Sequence, residues 1–357
     1  MTKRIVVCCD GTWNTPDERQ NGIPTPTNVC KVGLAVAPVG NDGVTQATYY
    51  HRGVGTTRSE KFTGGAFGVG LSRDVISVYR YVVATYRPGD QLFLFGFSRG
   101  AFTARSAAGF IRNCGVLRPE HAARIDEAYA LYRSNNPTTA PHGVEATLFR
   151  KTYSYDVTVH FIGVWDTVGA LGIPLSGNPL VDLFNRRWQF HDTNLSSTVG
   201  NAFQALAIDE QRRPFRPTLW TQSPGTPASQ RLEQVWFAGV HSDVGGGYPS
   251  HQLSDITLLW MVERARSCGL DFLPDAFEVR PDDSPGSIAI DPNVLGELHN
   301  SRTGYYRLLR PYVRPIGVTD PQHEYVSPTA LARVEEDPSY RPASLVERLM
   351  GNNIDRL

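Results

Sequence analysis

A serine flanked by two glycines, in the run Gly96-Phe97-Ser98-Arg99-Gly100, matches the pattern G-x-S-x-G. The apolar run Gln91–Phe95 comes directly before it, and the small-residue stretch Ala101–Asn113 follows. This order predicts a tight turn from a strand into a helix, with the serine hydroxyl pointing out beyond the sheet. Glycines suit such a turn because neighbouring backbone leaves no room for a Cβ atom. Ser98 is therefore a candidate nucleophile, and the alternative is a serine that only caps the helix.

A serine hydroxyl needs a base to take its proton, and the base needs a third group that fixes its orientation. In a parallel sheet, functional side chains collect beyond the carboxyl ends of the strands. Asp166 follows the predicted strand Val157–Val164, and His241 follows the predicted strand Gln234–Val240. The chain order serine, aspartate, histidine is the one that accompanies this kind of turn. We therefore expect Ser98 as nucleophile, His241 as base and Asp166 as the orienting carboxylate.

Rival residues stay open for two of these roles. His323, late in the sequence, could replace His241 as the base, and Asp209 or Asp243 could replace Asp166 as the orienting carboxylate. Asp243 lies two residues after His241, so their side chains share a side only if the segment stays extended.

A substrate carbonyl under attack needs hydrogen-bond donors for its developing negative charge. The predicted strand Arg4–Cys9 ends in an Asp-Gly-Thr turn, whose amides could supply one donor, and the amide after Ser98 could supply another. A plain Asp-Gly β-turn is the alternative. The guanidinium of Arg99 could bind a substrate phosphate or carboxylate, or pair with Asp10. The candidate oxyanion and substrate-binding residues are Gly11, Thr12, Arg99, Asp10 and Asp243.

The elements that must hold these residues alternate along the chain between strand and helix. The predicted strands are Arg4–Cys9, Thr48–His51, Gln91–Phe95, Val157–Val164 and Gln234–Val240. The predicted helices are Leu71–Tyr86, Ala101–Asn113, His121–Ser134, Ser196–Ile208 and Asp255–Cys268. The alternation predicts an α/β fold, namely a doubly wound, mostly parallel sheet with helices on both faces and surface insertions. We expect one domain over residues 1–357, with a core over about 3–270 and irregular, proline-rich surface elaboration over about 271–357.

Length and composition permit a full hydrophobic core, because 41% of the 357 residues are apolar and 20% are charged. Thirty-five basic residues balance 35 acidic ones, which argues against nucleic acid as a partner. Five cysteines without a C-x-x-C pair argue against a disulfide scaffold or a zinc site, and no cofactor is expected. No signal peptide or membrane-spanning run is recognisable, which predicts a cytoplasmic protein or export without a cleaved signal.

Six ordered blocks together resemble one family, the uncharacterised α/β-hydrolase family that includes the type VI secretion phospholipase effectors. The blocks are residues 9–14, 53–56, 96–101 with 104–105, 163–169, 205–210 and 236–248, within a resemblance over about 3–265. The resemblance implies an α/β-hydrolase-like fold and a Ser–Asp–His esterase, with the three roles at Ser98, Asp166 and His241. Those effectors are typically longer and carry membrane-docking modules, so ester hydrolysis is the firmer implication and phospholipase activity the weaker one.

We therefore expect a small-molecule or lipid ester as the substrate, and transient membrane contact and the oligomeric state stay open. The stretch Ile173–Phe190 carries an apolar stripe that could form a lid or a lipid-facing element, although such stripes more often pack on a core. Two other readings stay open. One is metal-assisted hydrolysis by strand-end residues (Asp10, Asp166, Asp243 and His241). The other is a non-catalytic binding or toxin-partner module on the same scaffold.

Overall fold

Seven strands form one sheet in the computed structural model, which describes residues 2–11, 17–53, 64–169, 194–222, 225–278 and 290–351. The strands are β1 (Lys3–Cys9), β2 (Thr45–His51), β3 (Gln91–Phe97), β4 (Val159–Trp165), β5 (Val199–Ala207), β6 (Arg231–Phe237) and β7 (Glu324–Val326). Their order is β7-β6-β5-β4-β3-β1-β2, and all six pairings are parallel. The predicted α/β fold with a mostly parallel sheet is confirmed. Strand order reverses between β3 and β1, where open α/β sheets place their sites.

The helices lie along and beyond this sheet. They are α1 (Asn28–Ala35), α2 (Gly64–Thr85), α3 (Arg99–Cys114), α4 (Ile125–Arg133), α5 (Val144–Tyr153), α6 (His241–Gly245), α7 (Gln252–Ser267), α8 (Pro328–Glu336) and α9 (Ala343–Met350). Short two-stranded pairs join Arg19–Gln20 to Ile23–Pro24, Val116–Leu117 to Ser154–Tyr155, and Asn194–Leu195 to Thr221–Gln222. None of the described helices is both long and apolar enough to cross a membrane.

Side chains on each strand alternate between the two covered faces of the sheet. In β1, Ile5 and Val7 pack with α2 and α3 on one face, and Val6 and Cys8 pack with α1 and α7 on the other. Both faces are buried, so β1 is apolar almost throughout, as a parallel central strand requires. This packing holds the carboxyl ends of β1, β3 and β4 side by side.

The predicted helix over Ser196–Ile208 is wrong, because these residues contain the central strand β5, from Val199 to Ala207. β5 pairs in parallel with β4 and β6, and Phe203 and Leu206 are fully buried. A strand covered on both faces shows no polar alternation, so its pattern resembles that of a buried helix. The alanines raised the apparent helix propensity further, and sheet packing overrides that propensity.

The proline-rich segment near the C-terminus contributes to the core, which differs from the surface position expected for it. Its strand β7 pairs with β6 and extends the sheet. A cluster of apolar side chains joins β5 and β6 to α8 and α9, including Trp236, Val326 and Leu345. Arg314, from the irregular stretch before β7, is completely buried.

Candidate active site

Ser98 lies at the turn between β3 and α3, in the strand–turn–helix arrangement predicted for it. Its φ of 57° and ψ of −118° form a positive-φ conformation that non-glycine residues seldom adopt. A Cβ atom on Gly96 would lie 2.6 Å from Cα of Ala101, and one on Gly100 would collide with the carbonyl oxygen of Cys9. Within the described helix α3, the Ser98 side chain makes no capping hydrogen bond. The helix-cap alternative therefore does not explain this serine.

Asp166 and His241 contact each other beyond the carboxyl ends of the strands. Asp166 directly follows β4, and His241 begins α6 after β6. Oδ2 of Asp166 lies 2.5 Å from Nδ1 of His241, and Oδ1 accepts the backbone N–H of Ala207 at 3.1 Å. A carboxylate at Nδ1 favours the tautomer with its proton there, which leaves Nε2 as the proton acceptor.

Three neighbours fix the His241 imidazole beside the end of β3. Phe97, the residue before Ser98, packs against the ring with centroids 4.7 Å apart. The ring of Phe215 contacts it edge-on at 4.9 Å. The carboxylate of Glu210 accepts the backbone N–H of His241 at 3.3 Å. The imidazole therefore lies against the strand end that carries the candidate nucleophile.

Arg314 completes this cluster, although no sequence motif pointed to it. Its guanidinium donates to Oδ1 of Asp166 at 2.6 Å and to Oδ2 at 3.0 Å. It also donates to the backbone carbonyl oxygens of Ala207 at 2.8 Å and Phe215 at 2.6 Å. Arginine and carboxylate are both completely buried. This two-pronged ion pair holds the carboxylate that contacts His241 in one orientation.

The pKa shifts of the pair follow from burial and from Arg314. Burial lowers the pKa of His241 below its usual value, against the opposing influence of Asp166. Burial alone would raise the pKa of Asp166. The charge of Arg314, together with hydrogen bonds from His241 and Arg314, outweighs that effect and holds the pKa of this carboxyl below its usual range. At neutral pH the site thus combines a neutral imidazole with an ionised carboxylate.

The rival base lies elsewhere in the sheet. Nδ1 of His323 lies 2.9 Å from Oδ2 of Asp320, and His323 comes directly before β7. It is therefore at the amino end of a strand that runs parallel to β6, whereas His241 follows the carboxyl end of β6. His323 therefore lies beside the middle of β6, and His241 lies beyond that strand's carboxyl end.

The rival carboxylates have partners other than His241. Oδ1 of Asp243 lies 2.6 Å from Nδ1 of His299, and Oδ2 accepts the backbone N–H of Val240 at 3.0 Å, which stabilises the start of α6. Asp209 accepts the backbone N–H of Gly239 and the hydroxyl of Tyr340. Asp166 is the carboxylate that the structure places on Nδ1 of His241.

The predicted oxyanion wall lies next to the turn that carries Ser98. The tight fit of Gly100 against the carbonyl oxygens of Cys9 and Asp10 brings the end of β1 onto the start of α3. The N–H of Gly11, however, donates to Oδ1 of Asp10 at 2.6 Å, so this amide already has an acceptor. A role for Gly11 as an oxyanion donor stays a prediction that requires this hydrogen bond to break. Thr12 and the predicted lid over 173–190 lie outside the described residues.

The pairing of Arg99 with Asp10 that the sequence left open stays a prediction. Oδ2 of Asp10 accepts the hydroxyls of Thr27 at 2.7 Å and Tyr50 at 2.5 Å. Burial lowers the pKa of Arg99 to about 9, and the nearby charge of Asp74 partly opposes this shift. Arg99 therefore stays protonated at neutral pH, at the first position of α3.

The four residues considered as cation ligands do not converge on one point. Asp10 is bonded to hydroxyls near β1, Asp166 to Arg314, and Asp243 to His299. Among the residues that the structure describes, no group of three or more His, Cys, Asp or Glu side chains is arranged to hold a metal ion. The described part of the chain thus offers no set of ligands for the metal ion that the hypothesis of metal-assisted hydrolysis requires.

Several known proteins are similar to this chain. A curated Saccharomyces cerevisiae (strain S288c) protein, the uncharacterized protein YEL023C, is 28% identical over 248 residues, or 63% of this chain and 34% of its own length. The chain thus spans about a third of the length of this relative. An uncharacterized Pseudomonas aeruginosa protein of known structure shares 16% identity with a TM-score of 0.46, over 76% of this chain and 46% of that one.

A second solved structure is that of the Tle1 effector bound to the VgrG spike from the type 6 secretion system. It shares 21% identity with a TM-score of 0.35, over 69% of this chain and 51% of that one. The family model described as "T6SS, Phospholipase effector Tle1-like, catalytic domain" matches residues 3–264, which contain Ser98, Asp166 and His241. This chain belongs to the family of Tle1-like phospholipase effector catalytic domains of type VI secretion.

Proposed function

We propose that this protein is a serine hydrolase that cleaves carboxylic esters, with acyl esters of phospholipids as its substrate class. The observation that carries the proposal is the buried pair of Asp166 and His241, which lies against the turn that holds Ser98. The G-x-S-x-G turn and the strand-end carboxylate and imidazole together have the residue types of a nucleophile, a base and an orienting group. Membership of a phospholipase effector family supports a lipid ester as the substrate.

In the proposed reaction, Nε2 of His241 accepts the Ser98 proton while Oγ forms a bond to the acyl carbon. The carbonyl π electrons move onto oxygen, and the backbone N–H of Arg99 at the start of α3 stabilises that charge. The alcohol leaves with the proton from His241, and the acyl group stays on Ser98. Water then gives a proton to His241 and attacks the acyl carbon. The bond between that carbon and Oγ breaks, His241 returns the proton to Oγ of Ser98, and the carboxylic acid leaves. Asp166 stabilises the imidazolium in both steps.

Release of fatty acid from phospholipid vesicles tests this proposal. We expect Ser98→Ala and His241→Gln each to reduce kcat/KM by at least about a thousandfold, because either change removes a proton-transfer or bond-forming atom. His323→Gln is the matched control and should retain activity, since His323 precedes β7 and contacts Asp320 instead of Asp166.

Other outcomes would select the competing functions. Turnover that survives Ser98→Ala but is lost to a chelator and restored by Mg²⁺ or Ca²⁺ would indicate metal-assisted hydrolysis. A folded protein without turnover on any ester, soluble or lipid, would indicate a binding module on a hydrolase scaffold.

A further inference from the structure

A loop over residues 302–313 is anchored at both ends to the candidate active site. At one end, the hydroxyl of Ser301 donates to Oε1 of Glu210 at 2.9 Å, and Glu210 also accepts the backbone N–H of His241. At the other end, Arg314 forms the buried ion pair with Asp166. The loop therefore projects from the site, at a fixed position beside it.

The projecting part of this loop carries large apolar side chains in solvent. Leu308 is 83% exposed, Tyr305 is 61% exposed and Val313 is 52% exposed. Their exposure leaves apolar surface in water, which is unfavourable unless another surface covers it. Both anchors of the loop are buried, so this exposure is not the fraying of a chain end.

The surroundings of the loop are strongly basic, although the whole chain has as many acidic as basic residues. Residues 211–222 and 298–319 together contain seven arginines and no aspartate or glutamate, and two of these arginines, Arg212 and Arg314, pair with Glu210 and Asp166. The two segments touch, because the N–H of Tyr312 donates to the carbonyl oxygen of Gln211 at 2.9 Å and Arg212 lies over the ring of Tyr306. The exposed arginines of this surface are Arg213, Arg216, Arg307 and Arg310.

We propose that the 302–313 loop and the adjoining arginines form a docking surface for an anionic phospholipid bilayer. The apolar side chains are more stable in the acyl layer of a bilayer than in water. The surrounding arginines attract lipid phosphates, which favours an anionic bilayer over a neutral one. The ends of the loop contact Glu210 and Asp166, so its position brings the membrane surface to the candidate site. The purpose of this surface, which is to bring lipid to the active site, rests on the proposed function. The binding experiment does not depend on it.

Vesicle co-sedimentation of the full chain carrying Ser98→Ala measures docking without hydrolysis. We expect this protein to bind phosphatidylcholine vesicles that contain phosphatidylglycerol, with weaker binding to phosphatidylcholine alone and at high salt. Adding Leu308→Ser should weaken binding about tenfold or more, because one large apolar side chain no longer enters the bilayer. Adding Arg307→Gln with Arg310→Gln should weaken it about tenfold or more through lost charge.

Matched controls come from exposed residues on other elements. Leu148→Ser on α5 removes an apolar side chain that is 59% exposed, and Arg73→Gln with Arg80→Gln removes two exposed arginines from α2. These variants should bind like the Ser98→Ala parent, and all variants should unfold at the same temperature.

Three results would overturn the proposal. They are no binding of the parent to anionic vesicles, equal binding with and without phosphatidylglycerol, and loop variants that bind as well as the controls. Self-association without lipid that Leu308→Ser abolishes would instead assign the surface to a second copy of the chain. Because the parent lacks the Ser98 hydroxyl, failure of docking is distinguishable from failure of ester hydrolysis.

Discussion

At the scale of single residues, three candidate residues could be placed from the sequence because functional side chains follow the carboxyl ends of parallel strands. The completely buried Arg314 could not. Ser98, Asp166 and His241 each follow a strand that could be recognised from its apolar run, so their positions were predictable. Their catalytic roles stay predictions. Arg314 was not predictable, because it is one arginine among many in a proline-rich stretch without a motif. Its importance comes from long-range packing that places it on the Asp166 carboxylate.

Arg314→Met should move the acid limb of the pH profile of kcat/KM to higher pH. Removing a positive charge from the buried Asp166–His241 pair raises the pH at which that pair takes up a proton, and the protonated pair cannot act as the base. We expect a shift of about one pH unit or more, measured with a soluble ester.

Arg314→Lys separates charge from structure in this experiment. Lysine keeps the positive charge but loses the two-pronged geometry, so it should restore the acid limb while kcat stays below that of the unsubstituted protein. An equal loss of activity at every pH in Arg314→Met, with the acid limb unmoved, would indicate that the arginine only supports folding.

At the scale of elements, the turn between β3 and α3 depends on two glycines whose neighbours are backbone atoms. The sequence predicted this turn because the G-x-S-x-G pattern carries its own steric requirement. It did not predict β5 as a strand, because pairing with β4 and β6 depends on residues distant in sequence. Local sequence patterns thus predicted the element that has a specific turn. They did not predict β5, whose strand conformation depends on pairing with neighbouring strands.

Gly100→Ala should destabilise the protein by about 3 kcal/mol and abolish ester hydrolysis, because the new methyl group collides with the rigid end of β1. Gly109→Ala in the same helix is the matched control. Its Cβ would meet only the end of the Tyr132 side chain at 3.3 Å, which can shift. Urea unfolding and kcat/KM measure both effects, and similar losses in the two variants would contradict the steric role of Gly100.

At the scale of the whole molecule, the C-terminal part and the matched family domain share one core. β7 extends the sheet beyond residue 264, where the family match ends, and the cluster around Leu345 contacts Trp236 of β6. Composition and alternation predicted the sheet and its two covered faces, as observed. They could not show that the proline-rich C-terminal segment adds a strand to the sheet, because irregular segments have no periodic hydrophobic pattern.

Leu345→Ala should lower the free energy of unfolding by about 2–5 kcal/mol, since it leaves a cavity in that shared core. Met350→Ala in the same helix should change it by less than about 0.5 kcal/mol, because Met350 is largely exposed. Tryptophan fluorescence reports on the sheet through Trp165 and Trp236. Two separate transitions, or a sheet transition that Leu345→Ala does not move, would show that the C-terminal part folds independently.

Covalent labelling by a fluorophosphonate, located by mass spectrometry of the digested protein, tests the central claim most directly. The reagent reacts with a serine whose hydroxyl is activated by a base. We predict one label per chain on the peptide that contains Ser98, retained in Ser106→Ala and absent in Ser98→Ala. A folded protein that takes up no label, or a label that persists in Ser98→Ala, would contradict the assignment of Ser98 as the nucleophile.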